Sequence, residues 1–503
     1  MTGSQSFCFN QNKKEGPGAG GKAGSRARAR AARPGAGPGR GRQGREQGPG
    51  AGGKAGSRAR ARAARPGAGP GRGRQGRAGA AASLRGQAGR GGALCRHTGK
   101  RRAEPSRRMA GWVRAFLPPA ALLVVAQLVW APDPYGEECR SKTYPPSGPT
   151  FKGNVPTYVI NLDLPPSKRW DDLMHDKKTE LKTVVQNIKN IVNTFFPSGK
   201  IVDIVDNKIA HLTATLPYPF SEELQGIANS SGIPLGEIVI FNIFYEIFTV
   251  CTSIVAEDKT GKLYHARNLD FGLFLGWDVK NNSWTITREL KPIVVSLDFQ
   301  RNNKTVFKST NFAGYIGMVS GVKPDLFTLT MNERFSLDGG YVGIFEWLLG
   351  RRDGMWMGFL TRTVLENATS YQDAKDKLAK TRLLAPAYFI LGGKNSGEGC
   401  VITRSRTASL DIWDLDIKKG TWYVLETNYD RWKPPLILDN RRTPAMKCLN
   451  QTTQENISLP TIYDVLSTKP VLNKLTVCTT LMEVNRGHTE TYLRECPDPC
   501  SPW

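Results

Sequence analysis

The chain has 503 residues and a formal net charge of +26, a balance that taken whole points to a nucleic-acid or membrane-surface binder. The charge is unevenly placed. Residues 1–108 hold 26 Lys and Arg against 3 Asp and Glu, leaving 44 of the 70 basic and 41 of the 44 acidic residues for 109–503. That body is nearly neutral, which excludes a field suited to a polyanion, and it is long enough for one large domain.

Residues 1–108 form an extension of Gly, Ala, Arg and Pro. The segment "GPGAGGKAGSRARARAARPGAGPGRGRQGR" stands at 16–45 and again at 48–77. With so few large apolar residues it cannot offset its chain entropy, so disorder is expected. Read as a nucleic-acid tail it lacks stacking groups, because Phe7 and Phe9 lie outside the repeats. No nucleic-acid partner is therefore expected, and the extension reads as leader sequence outside the working protein, which would start at Met109. "MAGWVRAFLPPAALLVVAQLVWA" (109–131) then has the basic start, short apolar run and small residues of a signal peptide. Its apolar run is shorter than the roughly 20 residues a bilayer span needs.

In the mature part, the prolines at 145, 146 and 149 suggest an extended linker, and "YVINLDLPP" (158–166) begins as a strand and stops at its prolines. Leu181, Val184, Val185, Ile188, Ile191, Val192 and Phe195 recur at helical spacing, closed by Ser198-Gly199. "PLGEIVIFNIFYEIFTV" (234–250), carrying Glu237, Asn242 and Glu246, is apolar nearly all round and predicts a buried or interface helix. Beyond it, "CTSIVAED", "KLYHARNLDF", "PIVVSLDFQ", "KTVFKSTNFAGYIGMVSGV", "LFTLTMNERF", "AYFILGG", "GCVITRS" and "WYVLETNYD" read as strands, with helices near 340–349 and 357–378. The pattern suggests an α+β fold with helices covering sheet faces.

Cys251 ends the apolar run at 234–250. On residue type alone it is a small buried hydrophobe or a nucleophile. A hairpin turning at "DKTGK" would bring Arg267 and Asp270 back beside it, giving the thiol a cation; the alternative for those two is a surface ion pair. His265 shares a strand face with Arg267 and is the candidate base of a Cys–His dyad, with nothing evident to orient it. A cut between Val250 and Cys251 would supply a different base, the α-amine of Cys251 itself. The mature part has seven cysteines, an odd number that leaves at least one unpaired, and "CPDPC" (496–500) reads as a local disulfide rather than a zinc site. Sequons stand at Asn229, Asn281, Asn303, Asn367, Asn450 and Asn456.

"CTSIVAEDKTGKLYHARNLDFG" (251–272) resembles the start of the catalytic chain in the acid ceramidase family and in the related N-acylethanolamine-hydrolysing acid amidases, both similar to the wider choloylglycine hydrolases. "GWDVKNNSWTITRELKP", "LDFQRNNKTVF", "NERFSLDGGYVGI", "ETNYDRWKPP", "DNRRTPAMKCLN" and the terminal "CPDPC" resemble the acid ceramidases in particular; the similarity covers about 139–503, and residues 1–108 match nothing in the family.

The resemblance implies a four-layer αββα N-terminal nucleophile hydrolase sandwich, an α chain (132–250) and a β chain (251–503) arising from one precursor by autocatalytic cleavage between Val250 and Cys251. It implies hydrolysis of ceramide to sphingosine and fatty acid, with N-acylethanolamine hydrolysis as the alternative, in the lysosome with some secretion. Carried over by motif, Cys251 is the nucleophile; Arg267 and Asp270 stand in "RNLD", Asn428 in "TNYD", Arg441 in "RRTP" and Glu333 in "NER". The resemblance further implies Cys139–Cys448 and Cys496–Cys500 disulfides, with a saposin-type activator and an anionic membrane surface as partners; the sequence itself carries no metal cluster or phosphate loop, so neither cofactor nor metal is expected. Cys400 and Cys478 are then free, Cys478 standing where an aromatic residue is expected. At acid pH a free thiol would be protonated, and two arginines plus an ammonium are expected to depress its pKa by several units.

Overall fold

The computed structural model describes residues 137–195, 213–244, 249–271, 276–335 and 342–500. The Gly/Ala/Arg-rich extension, the signal segment at 109–131, Ser198-Gly199 and Glu246 lie outside these residues.

In chain order the elements are β1 (Phe151–Asn154), β2 (Thr157–Asn161), α1 (Asp171–Phe195), α2 (Phe220–Ser231), α3 (Leu235–Phe244), β3 (Thr249–Glu257) and β4 (Leu263–Phe271). Then come β5 (Trp277–Asp278), β6 (Ser283–Trp284), α4 (Thr285–Leu290), β7 (Val294–Arg301), β8 (Lys304–Phe312), β9 (Ser320–Lys323), β10 (Phe327–Glu333) and α5 (Val342–Leu348). The chain continues through α6 (Met357–Asn367), α7 (Tyr371–Lys380), β11 (Ala387–Gly393), β12 (Gly399–Arg404), β13 (Ser409–Asp414), β14 (Tyr423–Glu426), α8 (Arg442–Thr452), α9 (Leu459–Ser467), β15 (Thr476–Glu483) and β16 (His488–Arg494). The result is a mixed α/β molecule. Its described strands form a six-stranded sheet, β1-β16-β15-β4-β3-β14, an eight-stranded sheet, β13-β12-β11-β10-β9-β8-β7-β2, and the β5–β6 hairpin.

The β3–β4 hairpin positions the site. Asp258 closes its turn by accepting from the N–H groups of Thr260 and Lys262, and Gly261 supplies the left-handed conformation (φ 85°) that a side chain would strain. Both strands are buried along their whole length. On one face, Ile254, Ala256 and Ala266 pack against Ala445 and Leu449 of α8 and Ile462, Tyr463 and Leu466 of α9. Burying each large aliphatic contributes about 1.5–3 kcal/mol. On the other face, Val255 and Leu263 meet Tyr388, Ile390 and Val401 of the eight-stranded sheet. Between those apolar contacts runs a polar seam: Ser253 donates to Asn332 and accepts from Thr330. Buried polar groups are affordable there because they pair with one another.

Three expectations are corrected. The apolar run at 234–250 is not one helix: α3 ends at Phe244, and Thr249 and Val250 already belong to β3, where β-branched side chains fit the pleat. The helix expected over 357–378 is two, because the chain extends at Ala368 and Ser370 then caps α7 by accepting from the Asp373 N–H. The long run from Lys304 breaks into β8 and β9. The segment before Cys251 supplies an edge strand to each sheet, β1 antiparallel to β16 and β2 parallel to β7. It is also tied to α8 by the Cys139–Cys448 disulfide, with Cα atoms 5.4 Å apart. Cys496 pairs with Cys500, and Cys251, Cys400 and Cys478 are free and buried.

Candidate active site

Cys251 is the third residue of β3 and has no exposed surface. Its thiol accepts from Arg267 Nη2. Its own N–H donates to Asn428 Oδ1 (3.0 Å), and its carbonyl accepts from Arg441 Nη1 (2.5 Å). Every polar group of this residue is thus held by one of the residues the sequence singled out.

Each partner is itself anchored. Arg267, on β4, also donates to the Val319 carbonyl (2.5 Å). Arg441 precedes α8 and lies in a fork with Asp439 (Nε–Oδ1 2.7 Å, Nη2–Oδ2 2.9 Å); it donates to Asn428 Oδ1 at 2.8 Å and stands 3.5 Å from Asp270. Burial works against its charge, and Asp439 and Asp270 more than offset this. Asp270 accepts from Thr476 (2.6 Å) and Asn473 (3.4 Å). Asn428 Nδ2 donates to the carbonyls of Glu333 (2.8 Å) and Thr249 (3.3 Å).

Burial dominates the electrostatics. It pushes the Cys251 thiol up to about 11, Arg267 and Arg441 pulling the other way and Asp270 adding to the rise. Burial also raises the Asp270 carboxyl to about 6, against Arg441 and Thr476. The depressed thiol pKa expected from the sequence is therefore not found in the continuous chain. The reason is physical: Val250 and Cys251 are joined within β3, Cys251 N is an amide, and the ammonium that would have helped is not there.

These residues match known proteins. Residues 251–495 match the family profile described as linear amide C–N hydrolases, choloylglycine hydrolase family, and residues 153–216 the profile described as the beta subunit of N-acylethanolamine-hydrolyzing acid amidase. The acid ceramidase of Homo sapiens is 66% identical over 370 residues, 74% of this chain and 94% of that protein. Those of Pan troglodytes (63% over 395 residues, 78% and 100%) and Mus musculus (62% over 384 residues, 76% and 97%) are similarly near. The chain belongs to the acid ceramidase family. Its chemistry is accordingly that of a cysteine amide hydrolase.

Within this family member, Cys251, Arg267, Asp270, Asn428 and Arg441 converge, but Arg267 and Asp270 do not form the ion pair that was the alternative reading. Three residues apart on a strand, they leave it on opposite faces, both buried. Glu333 enters through its backbone carbonyl; strand alternation sends its side chain to the face opposite Asn332, which bonds Ser253. His265 is no partner of the thiol. Its ring sits between Thr328 (2.9 Å) and Thr330 (3.0 Å), and burial, aided by Arg267, lowers it to about 3. Cys478 pairs in register with Leu269, itself opposite Cys251, and burial holds its thiol near 12.

Sequence reasoning missed Asp439, Thr476, Asn473 and Val319, which orient Arg441, Asp270 and Arg267. Asp439 had a signal, a carboxylate two residues before the arginine it forks with. The others are brought in by β15, the turn before it and the loop before β9, which no local pattern announces.

Proposed function

We propose that this chain is the precursor of a lysosomal ceramidase that severs itself before Cys251 and then hydrolyses the amide of ceramide to sphingosine and fatty acid. The observation that carries the reading is that the nucleophile candidate's thiol, N–H and carbonyl are each gripped by a different charged or amide side chain. A structural cysteine needs none of these. Two matches add support: the amide-hydrolase profile begins at Cys251, and identity to the acid ceramidases exceeds 60% over most of the chain. That identity favours ceramide over the N-acylethanolamine alternative.

In the first reaction the Cys251 thiol adds to the Val250 carbonyl carbon and the Cys251 nitrogen departs, taking the thiol proton. The product is a thioester with a free α-amine. Water hydrolyses it, leaving an α chain ending at Val250 and a β chain beginning at Cys251. In the second, the thiolate attacks the ceramide carbonyl; the α-amine receives the thiol proton and delivers it to the departing sphingosine nitrogen. Water, activated by the same amine, releases the fatty acid. Asn428 Nδ2 is the oxyanion donor. In the continuous chain it is engaged partly by the Thr249 carbonyl, which departs with the α-chain end. Such a donor is worth about 3–4 kcal/mol. Asp270 steadies the new ammonium, Arg267 and Arg441 supply positive potential, and Glu333 contributes the backbone carbonyl that holds Asn428.

The finer organisation belongs to the same reading: four αββα layers, a disulfide-linked α–β heterodimer, a signal at 109–131 and an extension at 1–108 absent from the working protein. The 395 residues matched in the chimpanzee relative equal the number from Met109 to Trp503. All six sequon asparagines are exposed, which suits glycosylation in the secretory pathway. An alkyl chain of the substrate is assigned to the cleft of about 330 Å³ that Leu216, Trp347, Trp356 and Phe359 line; Val239 and Ile243 of α3 adjoin it. A saposin-type activator and an anionic membrane surface would deliver the lipid.

The test is fatty-acid release by protein expressed from Met109 and incubated at acid pH. Ceramide should be cleaved faster than an N-acylethanolamine of equal acyl length. The reverse order would transfer the chain to the amidase activity, and no release from either would end the proposal.

A further inference from the structure

Asn428 can act as an oxyanion donor only if its amide is aimed. Its immediate bonds set the rotation of the amide, but they do not fix the segment that carries it, which leaves the end of β14 at Glu426 and runs on as irregular chain. That segment is laced to the end of β10 by three consecutive residues. Asn332 Nδ2 donates to the carbonyls of Glu426 (3.0 Å) and Thr427 (2.8 Å). The Glu333 carbonyl accepts from Asn428 itself. Arg334 then meets Asp430 in a two-pronged pair, Nε–Oδ1 2.7 Å and Nη2–Oδ2 2.8 Å. Asp430 is 4% exposed and Arg334 8%, and Tyr388 of β11 adds a third donor at 2.8 Å.

We infer that the Arg334–Asp430 pair is a positioning clasp for Asn428: it joins the end of β10 in one sheet to the segment leaving β14 in the other, and so fixes where the oxyanion donor stands. Neither residue touches Cys251 in any bond described above, so both act through Asn428. The inference rests on the role proposed for Asn428. A planar fork suits the task better than a point charge, because two parallel bonds fix direction as well as distance. Hydrogen bonds from Arg334 and Tyr388 overcome burial and hold the Asp430 carboxyl below its usual range, so the clasp stays charged in an acid compartment. A buried ion pair is by itself weak evidence for stability, and a role in geometric definition accounts for its retention.

The experiment is Asp430→Asn in protein expressed from Met109, alone and combined with Asn428→Ala, with rates counted per cleaved β chain. The single variant should lose kcat on the order of 100-fold with KM changed less than about threefold, the signature of a misplaced group. In the Asn428→Ala background the same change should cost less than about threefold, because the group being aimed is already gone. Arg334→Lys, which keeps charge but loses the fork, should fall between wild type and Arg334→Met. Unchanged kcat in an active, folded Asp430→Asn enzyme overturns the clasp alone, as do equal losses in both backgrounds. If Asp430→Asn does not fold, Tyr388→Phe reads the same quantity: a several-fold kcat loss supports the clasp and an unchanged kcat overturns it. A wild-type protein inactive on every N-acyl amide strikes the proposed function, and the clasp falls with it.

Discussion

Two buried clusters in this molecule each combine two arginines with a carboxylate and differ in how closely the cations approach it. Around Glu223, Arg169 (2.9 Å) and Arg362 (2.7 Å) donate to Oε1, and Trp170 (2.8 Å) and Arg362 (2.5 Å) to Oε2. Four donors meet one carboxylate. Around Cys251, the Asp270 carboxylate has its nearest cation at 3.5 Å, and burial wins at both the thiol and that acid. The difference separates a cluster that holds the fold from one whose unfavourable protonation states the proposed chemistry would use. The Glu223 cluster also joins residues on both sides of Cys251, so it links the two chains that cleavage would create.

Breaking each cluster should therefore fail differently. Cys251→Ala should abolish self-cleavage and lower amide hydrolysis by at least about 10⁴-fold with folding intact, read from gel mobility and fatty-acid release. Arg362→Met should act on stability instead, removing roughly 3–5 kcal/mol by denaturant titration and leaving the kcat of the folded fraction unchanged. Asn428→Ala should cost kcat about 10²–10³-fold with a small change in KM.

The smallest effect sharpens the comparison through pH. Burial raises the Glu426 carboxyl to about 8, against Arg442 and the Thr427 N–H. Between an unfolded value near 4.5 and about 8, the folded protein binds a proton that the unfolded chain lacks. Its stability contribution is therefore present at low pH and is lost as pH rises through about 8. The melting temperature of Cys251→Ala protein should rise from about pH 8.5 to about pH 6.5, and less so when Glu426→Gln is added. That window lies above the range where neutral His265 pulls the other way, since the unfolded imidazole gains its proton only below about 6.5. Equal slopes in the two proteins would remove Glu426 from the account.

The hairpin that carries the site was legible in the sequence because alternation and a Gly-containing turn are local signals. So was the buried stripe of Leu181, Val184, Val185 and Ile188 on α1. What was not legible is long-range. The alternative of an Arg267–Asp270 ion pair fails because three-residue spacing pairs charges on a helix but parts them on a strand. Asp270 finds Thr476 more than 200 residues away, and Asp430 finds Arg334 across 96, contacts set by sheet order and not by neighbours in the chain. The helices α2, α8 and α9 were also passed over, their short apolar stripes being interrupted by polar residues. The strand at Thr249 was hidden by the apolar run before it, since uniform hydrophobicity carries no period.

The central claim is that the base for Cys251 is the amine it gains when the Val250–Cys251 bond breaks. N-terminal sequencing of the active, acid-incubated protein tests it most directly. The account predicts a β chain reading Cys-Thr-Ser-Ile, appearing in step with activity. Full activity in a chain that runs unbroken from Val250 into Cys251 would contradict it.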